Sequence, residues 1–257
     1  MALCAAWVAW LDASLARTAY ATGYALWAAV LLLAAYGLRK KLPGLPIGAS
    51  RHWLRWHLVI AAVSLGLFGW HAGLAWPTGA VEGALAALYL GTFASGLVGF
   101  YLTRTIPRQL ARTSEQFIYE RIPRLKEAAR RDARAAVLEA VHATGATTLA
   151  DFYADRVHGF LGRPRAWRYT LRPTGAARQR LFNELRGVDR FLTDPERDAA
   201  DRLFKLVRRK DDLDFHAARQ GLLKAWLFAH LALTWALVLV GTAHGVLALA
   251  FRGGPTP

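Results

Sequence analysis

Residues 57–71 read HLVIAAVSLGLFGWH, and residues 230–244 read HLALTWALVLVGTAH. Each is an apolar run with histidine at both ends, and the pairs His57/His71 and His230/His244 share a spacing of fourteen residues. On an α-helix, fourteen steps of about 100° fall roughly 40° short of four full turns, so both members of a pair project from nearly the same face. At about 1.5 Å per residue they stand about 21 Å apart, leaving room for two layers inside a hydrocarbon core about 30 Å thick. Two such helices side by side present four imidazoles in two tiers.

The runs around these pairs place the helices in a membrane. Residues 19–38, 57–76 and 83–103 each offer about twenty positions without Asp, Glu, Lys or Arg, and residues 225–251 offer twenty-seven, long enough for four spans. The apolar stretch 1–11 is too short to span. With no Lys or Arg before Arg17 it also lacks the basic start of a secretory signal, and it is expected at the interface or packed on the bundle. The fold expected is all-α: an integral membrane four-helix bundle with a helical insertion between helices three and four. Its segments are 1–102, 103–221 and 222–257.

Basic residues orient the spans, because short Lys/Arg-rich connections stay on the cytoplasmic side. The connection 39–56 carries Arg39, Lys40, Lys41, Arg51 and Arg55 and no acid, whereas 77–82 carries no base. Residues 103–221 hold 25 Lys or Arg against 16 Asp or Glu, so 30 of the 33 basic residues fall in the two inner connections. Both termini are therefore expected outside the inner membrane and residues 103–221 in the cytoplasm. Helices two and four then run parallel, which puts His57 level with His230 on the inner side and His71 level with His244 on the outer side. The net charge of +15 reflects this bias and attraction to membrane lipid rather than nucleic acid, for which no recognition motif occurs.

Within the insertion, Thr113-Ser114-Glu115-Gln116 resembles a capping box opening a helix over 114–144, with Pro123 bending or restarting it. Residues 151–161 read as a shorter helix. Residues 162–175, with Pro164, Pro173 and several arginines, read as a loop. Thr193-Asp194-Pro195-Glu196 is a stronger helix start, with Thr193 as cap, and the pattern runs on toward the fourth span.

Neutral imidazole is a good axial ligand for haem iron, and histidine inside a membrane is costly enough to need a reason. Haem ligation accounts for four matched histidines better than structural hydrogen bonds, zinc or a proton relay. Ligands two tiers apart cannot converge on one zinc ion, and two histidines per tier are too few to close a tetrahedral site. His52 leaves the shared face, which assigns it at most a surface role near a propionate or a quinone head group. His142, His158 and His216 are expected on solvated helix faces. Arg51 and Arg55 stand where they can pair with propionates of an inner haem, although topological charge accounts for them equally. Gly23 and Gly37, also fourteen apart, either leave room for a macrocycle in each tier or serve ordinary close packing; Gly66 lies between the ligands of the second helix.

These residues resemble the b-type cytochromes whose four-helix core carries two stacked haems. The helix with His57 and His71, the helix with His230 and His244, and the helix with Gly23 and Gly37 look like the amino-terminal bundle of cytochrome b in quinol:cytochrome c oxidoreductases. The ligand spacing is also similar to that of ferric-reductase-like membrane domains. The resemblance implies two haem b groups, with His57 and His230 on the inner iron and His71 and His244 on the outer. It departs in three respects: the third helix lacks paired glycines in register, the Pro-Glu-Trp-Tyr quinol motif is absent, and the inner connection is much longer. No flavin or nicotinamide domain is expected after the bundle. The lone cysteine, Cys4, provides neither iron–sulfur ligation nor covalent haem attachment. The expected activity is that of an electron-transfer subunit, with no catalytic residues of its own, working between an inner donor or quinone and an outer redox partner such as a multihaem c-type cytochrome or an iron–sulfur protein. A quinol dehydrogenase or ferric-reductase-like subunit, and a haem-free scaffold or transporter, are the alternatives.

Overall fold

The computed structural model describes residues 18–41, 49–113 and 115–251, and among them every regular element is helical. Four helices are long and apolar enough to cross a membrane: α1 (Thr18–Lys41), α2 (Ser50–His71), α3 (Ala80–Leu110) and the apolar part of a later helix, α9 (Asp194–Ala250). Large apolar side chains such as Leu32, Val59, Leu97 and Leu239 remain exposed along them. Apolar faces of this extent are unfavourable in water and suit a lipid environment. Their length and composition suggest a membrane protein.

The chain divides into two units, residues 1–98 with 227–257, and residues 99–226. In the first, α1 packs on α2 and on the carboxy-terminal part of α9. The indole N–H of Trp27 donates to Thr242 Oγ1 at 3.2 Å, and Ser64 and Tyr89 share a buried hydroxyl pair at 2.9 Å. Phe68 stacks on Tyr89 with ring centroids 4.4 Å apart. Polar groups satisfied across helices in this way hold a bundle whose apolar surface gains nothing from leaving lipid.

The second span begins seven residues earlier and ends five earlier than the uncharged run 57–76. It stops at His71 because Gly73 takes a left-handed φ of 66°, and the amide of Leu74 turns back to the carbonyl of Gly69 at 2.8 Å. His71 therefore occupies the last turn of α2. The stretch 1–11 lies outside the described residues.

The second unit holds α4 (Ile122–Thr144), α5 (Thr148–Phe152), α6 (His158–Gly162), α7 (Trp167–Leu171), α8 (Ala176–Val188) and the first part of α9. The expected helix start at residue 113 is corrected. Residues 115–118 are not helical, and α4 opens at Ile122, where Pro123 loses nothing by lacking an N–H in the first turn. The short helix expected over 151–161 extends over 148–162 with a π turn at Tyr153–Val157, and the loop 162–175 contains the single turn of α7. At the start of α9, Glu196 accepts hydrogen bonds from both the amide and the hydroxyl of Thr193, each at 3.0 Å, and from the amide of Leu149 at 3.1 Å. Burial alone would raise the Glu196 pKa; these donors reverse that and hold it below the usual carboxylate value.

Ala133, Val137, Leu149, Leu185, Leu203 and Val207 form the centre of this unit's core. Beside it lies a buried ionic cluster. Asp214 receives Lys210 at 2.6 Å, Lys126 at 2.7 Å and Arg165 at 2.8 Å, while Asp211 receives Arg165 at 2.7 Å and Arg178 at 3.2 Å. Burial would raise the Asp214 carboxyl, yet hydrogen bonds from Lys126 and Lys210 keep it low.

Candidate functional site

At one end of the first unit, α1, α2, α3 and α9 enclose a cavity of about 570 Å³. That lies within the range of cofactor sites, roughly 300–1,000 Å³. His71 from α2 and His244 from α9 both line it, so the structure brings one predicted pair to a common space. Each histidine is half-buried. The remaining wall is mainly apolar, from Val30, Leu85, Ala86 and Leu237 among others, with Tyr20, Tyr24 and Glu82 as polar exceptions.

The end of α2 fixes the His71 ring. Its Nδ1 lies 3.1 Å from the carbonyl oxygen of Ala19 and 3.4 Å from Thr22 Oγ1. A carbonyl can only accept, so Nδ1 carries the proton and Nε2 keeps its lone pair. This tautomer, held by a backbone carbonyl, is the usual arrangement of a metal-ligating imidazole. Gly23 is the other half of the device: a Cβ built there would lie 2.8 Å from His71 Cε1, too close for the ring to stay in place. The predicted Gly23 thus lines the cavity and leaves room for the His71 ring.

The other pair is held differently. His57 packs on Tyr36 with centroids 5.1 Å apart and a tilt of 43°. His230 Nδ1 lies 3.2 Å from Ser95 Oγ, and a Cβ on Gly96 would approach its Cε1 at 3.8 Å. Gly37 faces Leu231, whose Cδ2 would be 3.8 Å from an added Cβ, and Gly66 is half-buried. Arg51 and Arg55 are exposed, and Arg51 Nε lies 3.3 Å from His52 Nε2. No family, curated protein or solved structure matches the chain.

Several site residues escaped the spacing argument. Gly241 and Gly245 line the cavity on either side of His244. Residues 241–245 read GTAHG, and these two glycines do not share the fourteen-residue register of Gly23 and Gly37. Ser95 and Gly96, which face His230, belong to α3, a helix that carries no histidine. Among the described residues no three His, Cys, Asp or Glu side chains converge as a metal group. A haem iron takes two axial protein ligands, fewer than such a group of three.

His216 is corrected from a solvated position to a buried one, whereas His142 and His158 are exposed. His216 Nε2 lies 2.6 Å from Thr113 Oγ1, its Nδ1 lies 3.3 Å from Gln220 Nε2, and Phe117 meets the ring edge-on at 5.0 Å. Burial lowers its pKa below the usual 6.5.

Proposed function

We propose that this protein is a di-haem membrane cytochrome of b type, an electron-transfer subunit in which His71 and His244 ligate one iron and His57 and His230 the other. The observation that carries the reading is the apolar cavity with His71 and His244 on its walls and a glycine against the His71 ring. The residues fit the group: two imidazole nitrogen donors, that of His71 held in the ligating tautomer, in a space of cofactor size. Bound haem would supply one-electron redox chemistry.

The chain's own part is placement and environment. The Ala19 carbonyl orients His71 and increases its basicity as a ligand, and Ser95 orients His230. Val30, Leu85 and Leu237 exclude water from the outer site, which lowers the local dielectric and tunes the potential. Arg51 and Arg55, exposed just before His57, are placed to meet inner propionates. Both termini lie outside the inner membrane and residues 103–221 inside, as the basic residues require. An inner donor or a quinone and an outer redox protein complete the path.

A reduced-minus-oxidised spectrum with a pyridine-haemochrome count on purified protein tests the reading. Two haems per chain, all extracted by acid acetone, are expected; a colourless, folded preparation from haem-replete cells overturns it.

A further inference from the structure

From Val157 to Asn183 the chain carries six arginines and no Asp or Glu. The fold sorts these arginines into two sets. Arg165 and Arg178 turn inward onto Asp211 and Asp214 of α9 and pin the segment down. Arg163, Arg168, Arg172 and Arg180 are exposed, and none of them pairs with a carboxylate among the described residues. In the same place two large apolar side chains point into solvent. Trp167 is 70% exposed and Leu171 56% exposed, four residues apart at the two ends of α7, hence on one face.

We infer that α7 and its flanking arginines form a binding surface for an anionic phospholipid bilayer. The occupant follows from the pairing of chemistries. Tryptophan and leucine on one face, each followed directly by an arginine, present an apolar wedge for the headgroup–acyl boundary, with guanidinium groups at phosphate level. A basic protein surface would be repelled, and an apolar protein groove would gain nothing from four exposed arginines. An anionic bilayer satisfies both, each basic residue near its surface contributing about fivefold in affinity. The inward pair supplies the rest: with Arg165 and Arg178 clamped to α9, the segment presents the wedge without first having to be ordered. The inference does not depend on haem content.

The test uses the full chain in nanodiscs, with Cys4→Ser and Trp167→Cys, the new thiol carrying an environment-sensitive fluorophore. Phosphatidylglycerol mixed into phosphatidylcholine should shift the emission to the blue and admit quenching by doxyl-labelled lipid; pure phosphatidylcholine should not. Adding Arg168→Glu and Arg172→Glu should return the emission to its water-exposed value while helicity by circular dichroism stays unchanged. The same probe at Leu171→Cys guards against a local effect of replacing Trp167. Emission that stays water-like in anionic discs at both positions overturns the proposal. So does equal shielding in neutral and anionic discs, or shielding that appears only on adding a soluble redox protein.

Discussion

The carbonyl oxygen of Ala19 lies 3.1 Å from Nδ1 of His71, tying the start of α1 to the last turn of α2 at the mouth of the apolar cavity. Gly23, one turn further along α1, lies against the same ring. One helix therefore both orients the imidazole and makes space for it. That coupling explains why a glycine is needed at position 23 without any appeal to helix packing in general.

Gly23→Ala puts a methyl 2.8 Å from His71 Cε1, so the ring must leave the Ala19 carbonyl or the helices must part. The expected result is a weakened outer site, with haem content falling from two toward one per chain and an altered potential for what remains. Gly23→Val should empty that site outright. Gly37→Ala, where the nearest atom to an added Cβ is a Leu231 methyl at 3.8 Å, should change neither quantity. Full haem content and an unchanged potential in Gly23→Val would contradict the assignment.

Replacing the proposed ligands one at a time tests the two tiers. His71→Ala or His244→Ala should each leave one haem, and potentiometric titration should show the same surviving component in both. His57→Ala or His230→Ala should leave the other component. If His57→Ala and His71→Ala abolish the same component, the pairing across helices is wrong.

What could be read from the sequence was whatever has a period. The spans, the matched histidines and the Thr193 start follow from spacing along one helix: four apolar helices cover the expected runs, α2 displaced toward its amino end, and Glu196 reaches back to the Thr193 amide. Contacts between helices have no such period. Thr113 looked like a cap, yet its hydroxyl is taken by Leu110, Glu115 and His216. His216 looked solvated because it lies in the polar segment 103–221, but α9 turns it onto Phe117. The Asp214 cluster draws on residues up to 88 positions apart, Lys126 and Asp214 being the extremes, and no local pattern announces it.

The Asp214 cluster sets a stability test. Asp214→Asn leaves Lys210, 2% exposed, with its charge uncompensated. Breaking one partner of a buried ion pair costs about 3–5 kcal/mol, and replacing both by apolar residues of similar size costs little. Asp214→Asn should therefore lower the thermal midpoint of the loss of helicity substantially, and Asp214→Leu with Lys210→Met should recover most of it. A double variant no better than the single one would mean that Arg165 and Lys126 depend on Asp214 more than Lys210 does.

His216 sets a pH test. Gln220 donates its amide to the Phe117 carbonyl at 2.9 Å, so the nitrogen of that amide also faces His216 Nδ1 and donates to it at 3.3 Å. On the other side the Thr113 hydroxyl, directed at the Leu110 carbonyl at 2.6 Å, accepts from Nε2. The neutral ring with its proton on Nε2 satisfies every group, whereas protonation would set Nδ1–H against the Gln220 donor. Burial acts in the same direction and lowers the folded pKa below 6.5. The unfolded chain then binds the proton more readily, so the stabilisation is complete above about pH 6.5 and is lost as pH falls through the folded value. Thermal midpoints measured between about pH 4.5 and 7.5 should decline on the acid side for the native chain. Replacing His216 by Gln removes the titrating group, and its midpoints should decline less over the same window even if they start lower. Parallel curves for the two proteins would assign the acid sensitivity elsewhere and remove His216 from the account.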